Sequence, residues 1–197
     1  MKLGIIVECP LKGVDHQVYE YTIPKLNDSL QFEIVSAGRN KVEMLNNCGP
    51  VASTLIESGC ERVLIVWDLM PRFGGAVCRK EDVDSIKTSL EENNVPEGAV
   101  KLVCIEPELE SWFLVDGDVL TSYKAKLWHP HPVKKFPGVV LPHNSRDAKS
   151  TISKYVETRK YVDYEAAMRI VRTIENFDRI SASHDSFRRL KEFVESL

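Results

Sequence analysis

The sequence predicts an α/β fold in which a Rossmann-like parallel sheet is flanked by helices and followed by a C-terminal helical extension. Three near-continuous apolar runs, at 3–7, 63–67 and 100–105, have the length and β-branched content of strands that are buried on both faces. A fourth run, at 31–35, alternates apolar and polar residues, which is typical of an edge strand. Helical patterns separate these runs, so the strands are expected to be parallel.

Apolar residues at helical spacing predict the helices between the strands. Asn40 followed by Glu43 indicates a capping box at the start of one helix, and Gly49-Pro50 is expected to interrupt that helix. The region 118–146 is rich in Pro and His and is predicted to be a long loop. Further helices are predicted at 16–26, 81–92, 146–158, 163–176 and 183–196.

Length and composition indicate one compact unit. The chain has 197 residues, 43% of them hydrophobic and 28% charged, which excludes extensive disorder, collagen-like sequence and coiled coil. We expect an α/β core at 1–118 and, packed on it, a loop with a helical extension at 119–197. No apolar run in the sequence approaches the roughly 18 residues of a membrane span. Glu8 follows the first apolar run too closely for a signal peptide.

The cysteine content indicates a reducing environment. The five cysteines are odd in number and never have the spacing Cys-x-x-Cys. A zinc knuckle, a redox dithiol and a disulfide framework are therefore not expected. We expect free thiols and a cytoplasmic protein.

Charge is unevenly distributed along the chain. Residues 1–119 contain 11 basic and 20 acidic side chains, whereas residues 120–197 contain 15 basic and 9 acidic ones. Clustered carboxylates bind hard cations, and Lys or Arg binds phosphate, so this division suits a site that combines metal ions with a nucleic acid. Solvated helix faces are the alternative explanation. The candidate phosphate contacts are Lys134, Lys135, Arg146, Lys149, Arg188 and Arg189.

Acidic residues follow three of the predicted strands. Glu8 and Asp68 each come directly after a buried strand, and Glu106 begins an acidic segment after the last one. In parallel sheets, ligands bind beyond the carboxyl ends of the strands, where carboxylates, waters and phosphate oxygens together hold Mg²⁺. We therefore expect Glu8, Asp68 and acids of the segment that begins at Glu106 to converge on a catalytic site that binds Mg²⁺ or Mn²⁺.

The acidic segment also has a purely structural interpretation. If it is helical, Glu106 and Glu110 share one face at i and i+4. Acids in the first turn of a helix are favoured by the helix dipole alone, by roughly 0.3–1 kcal/mol each. Pro107 at a first helical position would agree with that interpretation.

Four parts of the sequence resemble Toprim-like proteins. Val7-Glu8-Cys9-Pro10 resembles the first Toprim motif, in which a Glu follows the first strand, and Asp68 falls where Toprim domains have Asp-x-Asp. The segment 108–116, Glu-Leu-Glu-Ser-Trp-Phe-Leu-Val-Asp, resembles the signature of an uncharacterised Toprim-like family, domain of unknown function 4276. The stretch from 144 to 190 resembles the ending of that family, so the resemblance covers nearly the whole chain.

The resemblance implies a Toprim-like fold related to the nuclease domain of overcoming-lysogenization-defect proteins. Those proteins pair this domain with an ATPase, use divalent metal and cleave DNA, often in defence against phage. By this resemblance Glu8 would be an acid/base or a metal ligand and Asp68 a metal ligand, and Glu108 or Glu110 would supply the ligand that the family's second Asp provides. The sequence departs from the family pattern in two places, because Met70 replaces the second Asp and Cys9 replaces the usual Gly.

Three functions remain open at this point. The first is a metal-dependent nuclease that acts with an ATPase partner, since this chain has no Gly-x-x-x-x-Gly-Lys-Ser/Thr loop of its own. The second, suggested by Met70, is a non-catalytic module that binds nucleic acid or protein. The third is hydrolysis of a small nucleotide in a site walled by Trp67 and Trp112. A homodimer is compatible with each of them.

Overall fold

The computed structural model describes residues 1–70, 79–157 and 164–197. The sequence predictions on Cys78 and on the helix ends at 158 and 163 lie outside the described residues. The strands are β1 (Lys2–Val7), β2 (Gln31–Ser36), β3 (Arg62–Asp68) and β4 (Val100–Ile105). The helices are α1 (Val14–Leu26), α2 (Lys41–Glu57), α3 (Arg79–Glu92), α4 (Ser111–Val115), α5 (Gly117–Trp128), α6 (Ala148–Val156), α7 (Tyr164–Val171), α8 (Asp178–Ser183) and α9 (Asp185–Glu195).

The four strands form one parallel sheet in the order β2-β1-β3-β4. The predicted α/β class, a parallel sheet flanked by helices, is therefore confirmed. β1 and β3 lie in the centre and are almost entirely buried, as their continuous apolar sequences require. β2 lies at one edge and is mostly half-buried, in agreement with its alternating pattern.

Helices cover both faces of the sheet. On one face, α2 and α3 pack over side chains such as Ile6, Val63 and Ile65. On the other face, α1 and the helices that follow β4 pack over Leu3 and Ile5 in a second apolar cluster. That second cluster contains side chains from both the predicted core, 1–118, and the predicted extension, 119–197. No helix among the described residues is both long and apolar enough to cross a membrane. The four cysteines within the described ranges are free thiols: Cys9, Cys48, Cys60 and Cys104.

The prediction that Gly49-Pro50 interrupts a helix is wrong, because α2 is continuous from Lys41 to Glu57. Pro50 has no N–H, so it leaves the carbonyl of Asn46 without its usual partner in the helix. The Ser89 hydroxyl on α3 donates to that carbonyl at 3.4 Å and accepts from the Gly49 N–H at 3.1 Å. A side chain on the neighbouring helix thus replaces the lost backbone bond.

The same contact makes Gly49→Ala a test of the packing between α2 and α3. A Cβ at position 49 would lie 2.1 Å from the backbone oxygen of Ser89, so the two helices must separate. We expect the free energy of unfolding in urea to fall by about 1–3 kcal/mol. Gly98→Ala is the matched control, because a Cβ there meets no atom within 4 Å. Equal stability of the two variants would contradict the close packing.

The prediction of a loop over the whole of 118–146 is also wrong. α5 occupies Gly117–Trp128 and begins with the Asp116 side chain accepting from the Asp118 N–H at 3.0 Å. Its buried face is formed by Val119, Leu120 and Tyr123, whose spacing fits a helix. Residues 129–147, all of them described, form neither helix nor strand, and this is where the prolines and histidines are concentrated.

Candidate functional site

Glu8 and Asp68 lie side by side at the carboxyl ends of β1 and β3. These strands are neighbours in the sheet, and Val7 pairs with Val66 in the register. β2 lies on one side of β1, whereas β3 and β4 lie on the other, so the order of the strands reverses between β1 and β3. This is the position at which open α/β sheets bind their ligands.

Hydrogen bonds connect the three acidic strand ends. The Asp68 N–H donates to Oε2 of Glu8 at 3.3 Å. The N–H of Leu109, in the segment that follows β4, donates to Oδ1 of Asp68 at 3.0 Å. These backbone contacts place Glu8, Asp68 and the segment after β4 beside one another.

Glu108 and Glu110 reach the site from a non-helical segment, which differs from the helical interpretation. Residues 106–110 are not helical, and α4 begins only at Ser111. Both carboxylates are buried and face Lys149 on α6, whose Nζ lies 3.6 Å from Glu108 Oε2 and 3.5 Å from Glu110 Oε1. Oε1 of Glu108 is buried without a hydrogen-bond partner. The Lys149 side chain is half-exposed, so the site is accessible from solvent on that side.

Sequence reasoning missed Asp15. This half-buried residue lies in the first turn of α1, the helix that follows β1, and its carboxylate interacts with the thiol of Cys9. An acid in the first turn of a helix is ordinarily explained by the helix dipole. The signal that could have identified Asp15 is its position at the start of the first helix after the strand that precedes Glu8. We define the carboxylate cluster as Glu8, Asp15, Asp68, Glu108 and Glu110.

The environment of the cluster disfavours ionised carboxylates. Burial, together with the charge of Asp15, raises the pKa of Glu8 to about 7. Burial raises the pKa of Asp15 to about 6, and that of Glu110 to about 7, although Lys149 opposes both shifts. Burial and the charges of Asp15, Glu8 and Glu110 hold the pKa of Asp68 well above its ordinary value. The folded protein thus concentrates negative charge that it only partly neutralises.

Lys149 supplies that partial neutralisation. Burial opposes its charged form, but Glu110, Glu108 and Asp68 outweigh burial and raise the Lys149 pKa above its ordinary value. The ammonium therefore stays charged beside the acids over the physiological range of pH. One lysine faces five carboxylates, so a further cation would still be attracted to the cluster.

These shifts predict how stability changes with pH. A carboxyl whose pKa is raised by folding binds its proton more tightly in the folded state than in the unfolded state. The proton on Glu8 therefore stabilises the fold fully below about pH 4.5, and this stabilisation is lost as the pH rises through about 7. Glu8→Gln stays neutral and retains an acceptor for the Asp68 N–H. In urea titrations at pH 8 we expect this variant to be more stable than the wild type by about 1–3 kcal/mol. At pH 4 the two should be equal, and equal stability at both pH values would contradict the raised pKa of Glu8.

The six candidate phosphate contacts do not form a single surface of unpaired cations. Lys149 belongs to the carboxylate cluster, and Lys135 pairs with Asp118 at 2.7 Å. Arg188 pairs with Asp185 and with Glu192, whereas Arg189 contacts Glu106 at 3.4 Å. The remaining two, Lys134 and Arg146, are exposed.

The donor chemistry of the carboxylate cluster fits a hard divalent cation. Carboxylate oxygens are the ligands that Mg²⁺ and Mn²⁺ prefer, and Glu108 offers a buried oxygen without a partner. Within 1–70, 79–157 and 164–197, however, no three His, Cys, Asp or Glu side chains already stand in a metal-binding arrangement. An ion bound here would therefore complete its coordination with waters or with phosphate oxygens of the substrate.

Comparisons of the chain with protein-family models, with curated proteins and with solved structures found no match. The function must therefore be inferred from the chemistry of the site itself.

Proposed function

We propose that this chain hydrolyses phosphodiester bonds of nucleic acid at the carboxylate cluster, with Mg²⁺ or Mn²⁺ as its cofactor. The observation that carries the proposal is the meeting of Glu8, Asp68 and the pair Glu108/Glu110 from three strand ends beside Lys149. Buried like charges are unfavourable for folding. Their concentration at the ligand-binding edge of the sheet is accounted for by a function that needs them there.

Glu8 and Asp68 would hold the cofactor. Met70, which replaces the second Asp of the Toprim pattern, is buried among the apolar side chains beneath α2 and α3 and supplies no ligand. Glu108 or Glu110 would take its place. A bound divalent cation lowers the pKa of a coordinated water and neutralises charge on the reacting phosphate.

The chain's own residues would orient the reaction. The backbone N–H groups of Asp68 and Leu109 fix one oxygen each of Glu8 and Asp68, which leaves the second oxygen of each carboxylate for other partners. The half-exposed ammonium of Lys149 has three N–H donors and would bind a phosphate oxygen at the solvent side of the cluster. Its charge would favour the transition state, in which negative charge grows on the leaving oxygen.

The resemblance to Toprim-like nucleases supports the same function and suggests its setting. By that resemblance the chain would act in the cytoplasm with an ATPase subunit, in defence against phage. The present sequence has no phosphate-binding loop, so ATP hydrolysis would belong to that separate subunit.

The test is cleavage by the purified chain. We expect Mn²⁺ or Mg²⁺ to permit cutting of plasmid DNA, single-stranded DNA or RNA, and EDTA to prevent it. The assay should be repeated in the presence of any ATPase that is encoded beside the gene. Absence of cutting under all of these conditions would contradict the proposal.

A second candidate is a module that binds nucleic acid or protein without cutting. Two observations favour it, namely the apolar Met70 and the absence of a ready-made metal site among the described residues. Calorimetry distinguishes the two candidates. The binding module would take up no Mn²⁺ and would still bind an oligonucleotide or a protein in a salt-dependent manner.

Small-nucleotide hydrolysis has less support. That hypothesis relied on Trp67 and Trp112 as walls of an open site, but each indole is only 2% exposed. Trp67 donates to Asp82 on α3, and Trp112 packs edge-on against Tyr19 and Phe187. Neither ring offers a free face to a base.

A further inference from the structure

Two arginines meet at the carboxyl end of β4, beside the carboxylate cluster. Nη1 of Arg79, the first residue of α3, lies 2.9 Å from Oε1 of Glu106. Nη2 of Arg189, on α9, lies 3.4 Å from the same oxygen and 3.5 Å from the carbonyl oxygen of Cys104. Two helices from opposite faces of the sheet thus direct one guanidinium each to a single carboxylate.

The register of the sheet places this pair next to the proposed catalytic acids. Ile105 at the end of β4 pairs with Asp68 at the end of β3, and Glu106 is the residue that follows Ile105. Neighbouring strands are about 4.8 Å apart. A nucleic-acid strand that presents one phosphate to Asp68 would therefore bring an adjacent phosphate towards Glu106 and its two arginines.

The group retains positive charge and unused donors. Glu106 accepts from both guanidinium ions, and the nearby Asp185, which interacts with both, is itself paired with Arg188. The three arginines and two acids together carry a net charge of +1. Each guanidinium has five N–H donors, of which the contacts with Glu106 and Cys104 occupy one nitrogen on each arginine. The Arg79 side chain is 46% exposed and that of Arg189 is 22% exposed. Phosphate can therefore reach donors that are already held in position.

The carboxylate cluster itself explains why such a group is needed. Five acids and one lysine repel a polyanion, so phosphates on either side of the cutting point require separate cations. Lys149 is assigned to the phosphate that is cut, and Lys135 forms an exposed ion pair with Asp118. Arg79 and Arg189 contact Glu106, the residue that follows the partner of Asp68 in the sheet, so they lie on the other side of Asp68's strand end from Glu8.

We propose that Arg79 and Arg189 form a subsite for the nucleic-acid phosphate adjacent to the one that is cut, with Glu106 holding both guanidinium groups in place. This inference rests on the proposed function and adds to it the substrate class and the path of the strand. Glu106 positions the two arginines, and its negative charge lowers their affinity for phosphate. Arg79 is not among the phosphate contacts that the sequence suggests.

The test measures binding separately from cleavage. A labelled single-stranded DNA oligonucleotide is titrated in EDTA, where no cutting occurs, and fluorescence anisotropy gives the dissociation constant at several salt concentrations. Arg79→Ala is expected to weaken binding about 3- to 10-fold and to reduce the slope of log affinity against log salt by about 0.7. The effect should be the same for two unrelated sequences, because phosphate contacts carry no sequence information.

Glu106→Gln and Lys87→Ala are the matched variants. Glu106→Gln keeps an oxygen acceptor for both arginines and removes the negative charge, so it is expected to tighten binding several-fold. Lys87 lies on α3, like Arg79, but beside Val100 and Leu102 towards the opposite end of β4. Lys87→Ala should therefore leave the dissociation constant within about 2-fold of that of the wild type and the salt slope unchanged.

The outcomes separate this inference from the proposed function. If the wild type cuts DNA while Arg79→Ala binds like Lys87→Ala, the subsite is refuted and the nuclease remains. If the wild type binds but never cuts, and Arg79→Ala weakens binding as expected, the subsite stands and the nuclease is refuted. A wild type that does not bind the oligonucleotide, or a Glu106→Gln variant that binds more weakly, overturns the subsite.

Discussion

Replacing Lys41 with Met is expected to lower the free energy of unfolding by about 3–5 kcal/mol, because it leaves a buried charge without its partner. Nζ of Lys41 lies 2.8 Å from Oδ2 of Asp82, and both side chains are at most 2% exposed. The same ammonium donates to the carbonyl oxygen of Leu69 at 3.0 Å. Trp67 also donates to Oδ2 of Asp82, at 3.1 Å, so the pair joins the starts of α2 and α3 to the end of β3.

Urea denaturation of two further variants checks the cause. Lys41→Met/Asp82→Asn keeps an acceptor for Trp67 and removes both charges, so it should be more stable than Lys41→Met alone. Lys135→Met breaks an ion pair whose side chains are 70% and 54% exposed, and we expect a change of at most about 1 kcal/mol. A loss below about 1 kcal/mol in Lys41→Met would show that Asp82 is not left as a buried charge.

Asp68→Asn is expected to reduce metal-dependent cleavage by at least about 100-fold while the fold is retained. An amide binds hard cations far less well than a carboxylate does. The Asn oxygen still accepts from the Leu109 N–H, so the segment after β4 stays in place. Because the substitution also removes repulsion from Asp15, Glu8 and Glu110, stability at neutral pH should be unchanged or higher.

A variant that gains stability and loses activity identifies residues kept for chemistry at the expense of folding. Asp84→Asn is the control, because Asp84 is an exposed acid on α3 that lies outside the carboxylate cluster. It should change neither activity nor stability by a measurable amount. Full activity in Asp68→Asn would remove Asp68 from the proposed mechanism.

The sequence predicts the sheet and the edge of the sheet that carries the site. Runs such as Ile5-Ile6-Val7 have no polar face, so they must be buried on both sides, and an acid that follows one of them must emerge at the carboxyl edge. Glu8 and Asp68 are identified in this way, without knowledge of strand order. Glu8 and Asp68 are neighbours because the strand order is β2-β1-β3-β4, and this order is known only from the structure.

What the sequence could not give depends on partners far away in the chain. Pro50 is tolerated within α2 because of Ser89, which lies 39 positions later, and no local pattern reports that hydroxyl. In the sequence, Lys149 cannot be distinguished from other surface lysines. Its contacts with Glu108 and Glu110 depend on the packing of α6 beside them. Asp15 lies in the first turn of α1, where the helix dipole alone explains an acid. The sequence therefore does not indicate that Asp15 lies near Glu8.

Lys149 lies 39 positions after Glu110, the last acid of the cluster, and this has a consequence during synthesis. The segment that carries all five acids leaves the ribosome before the helix that brings their lysine. For that interval, an early-folded amino-terminal half would hold its negative charges without an internal counter-ion. Docking of α6 relieves this repulsion, so electrostatics as well as apolar packing drives the late half of the chain onto the early one.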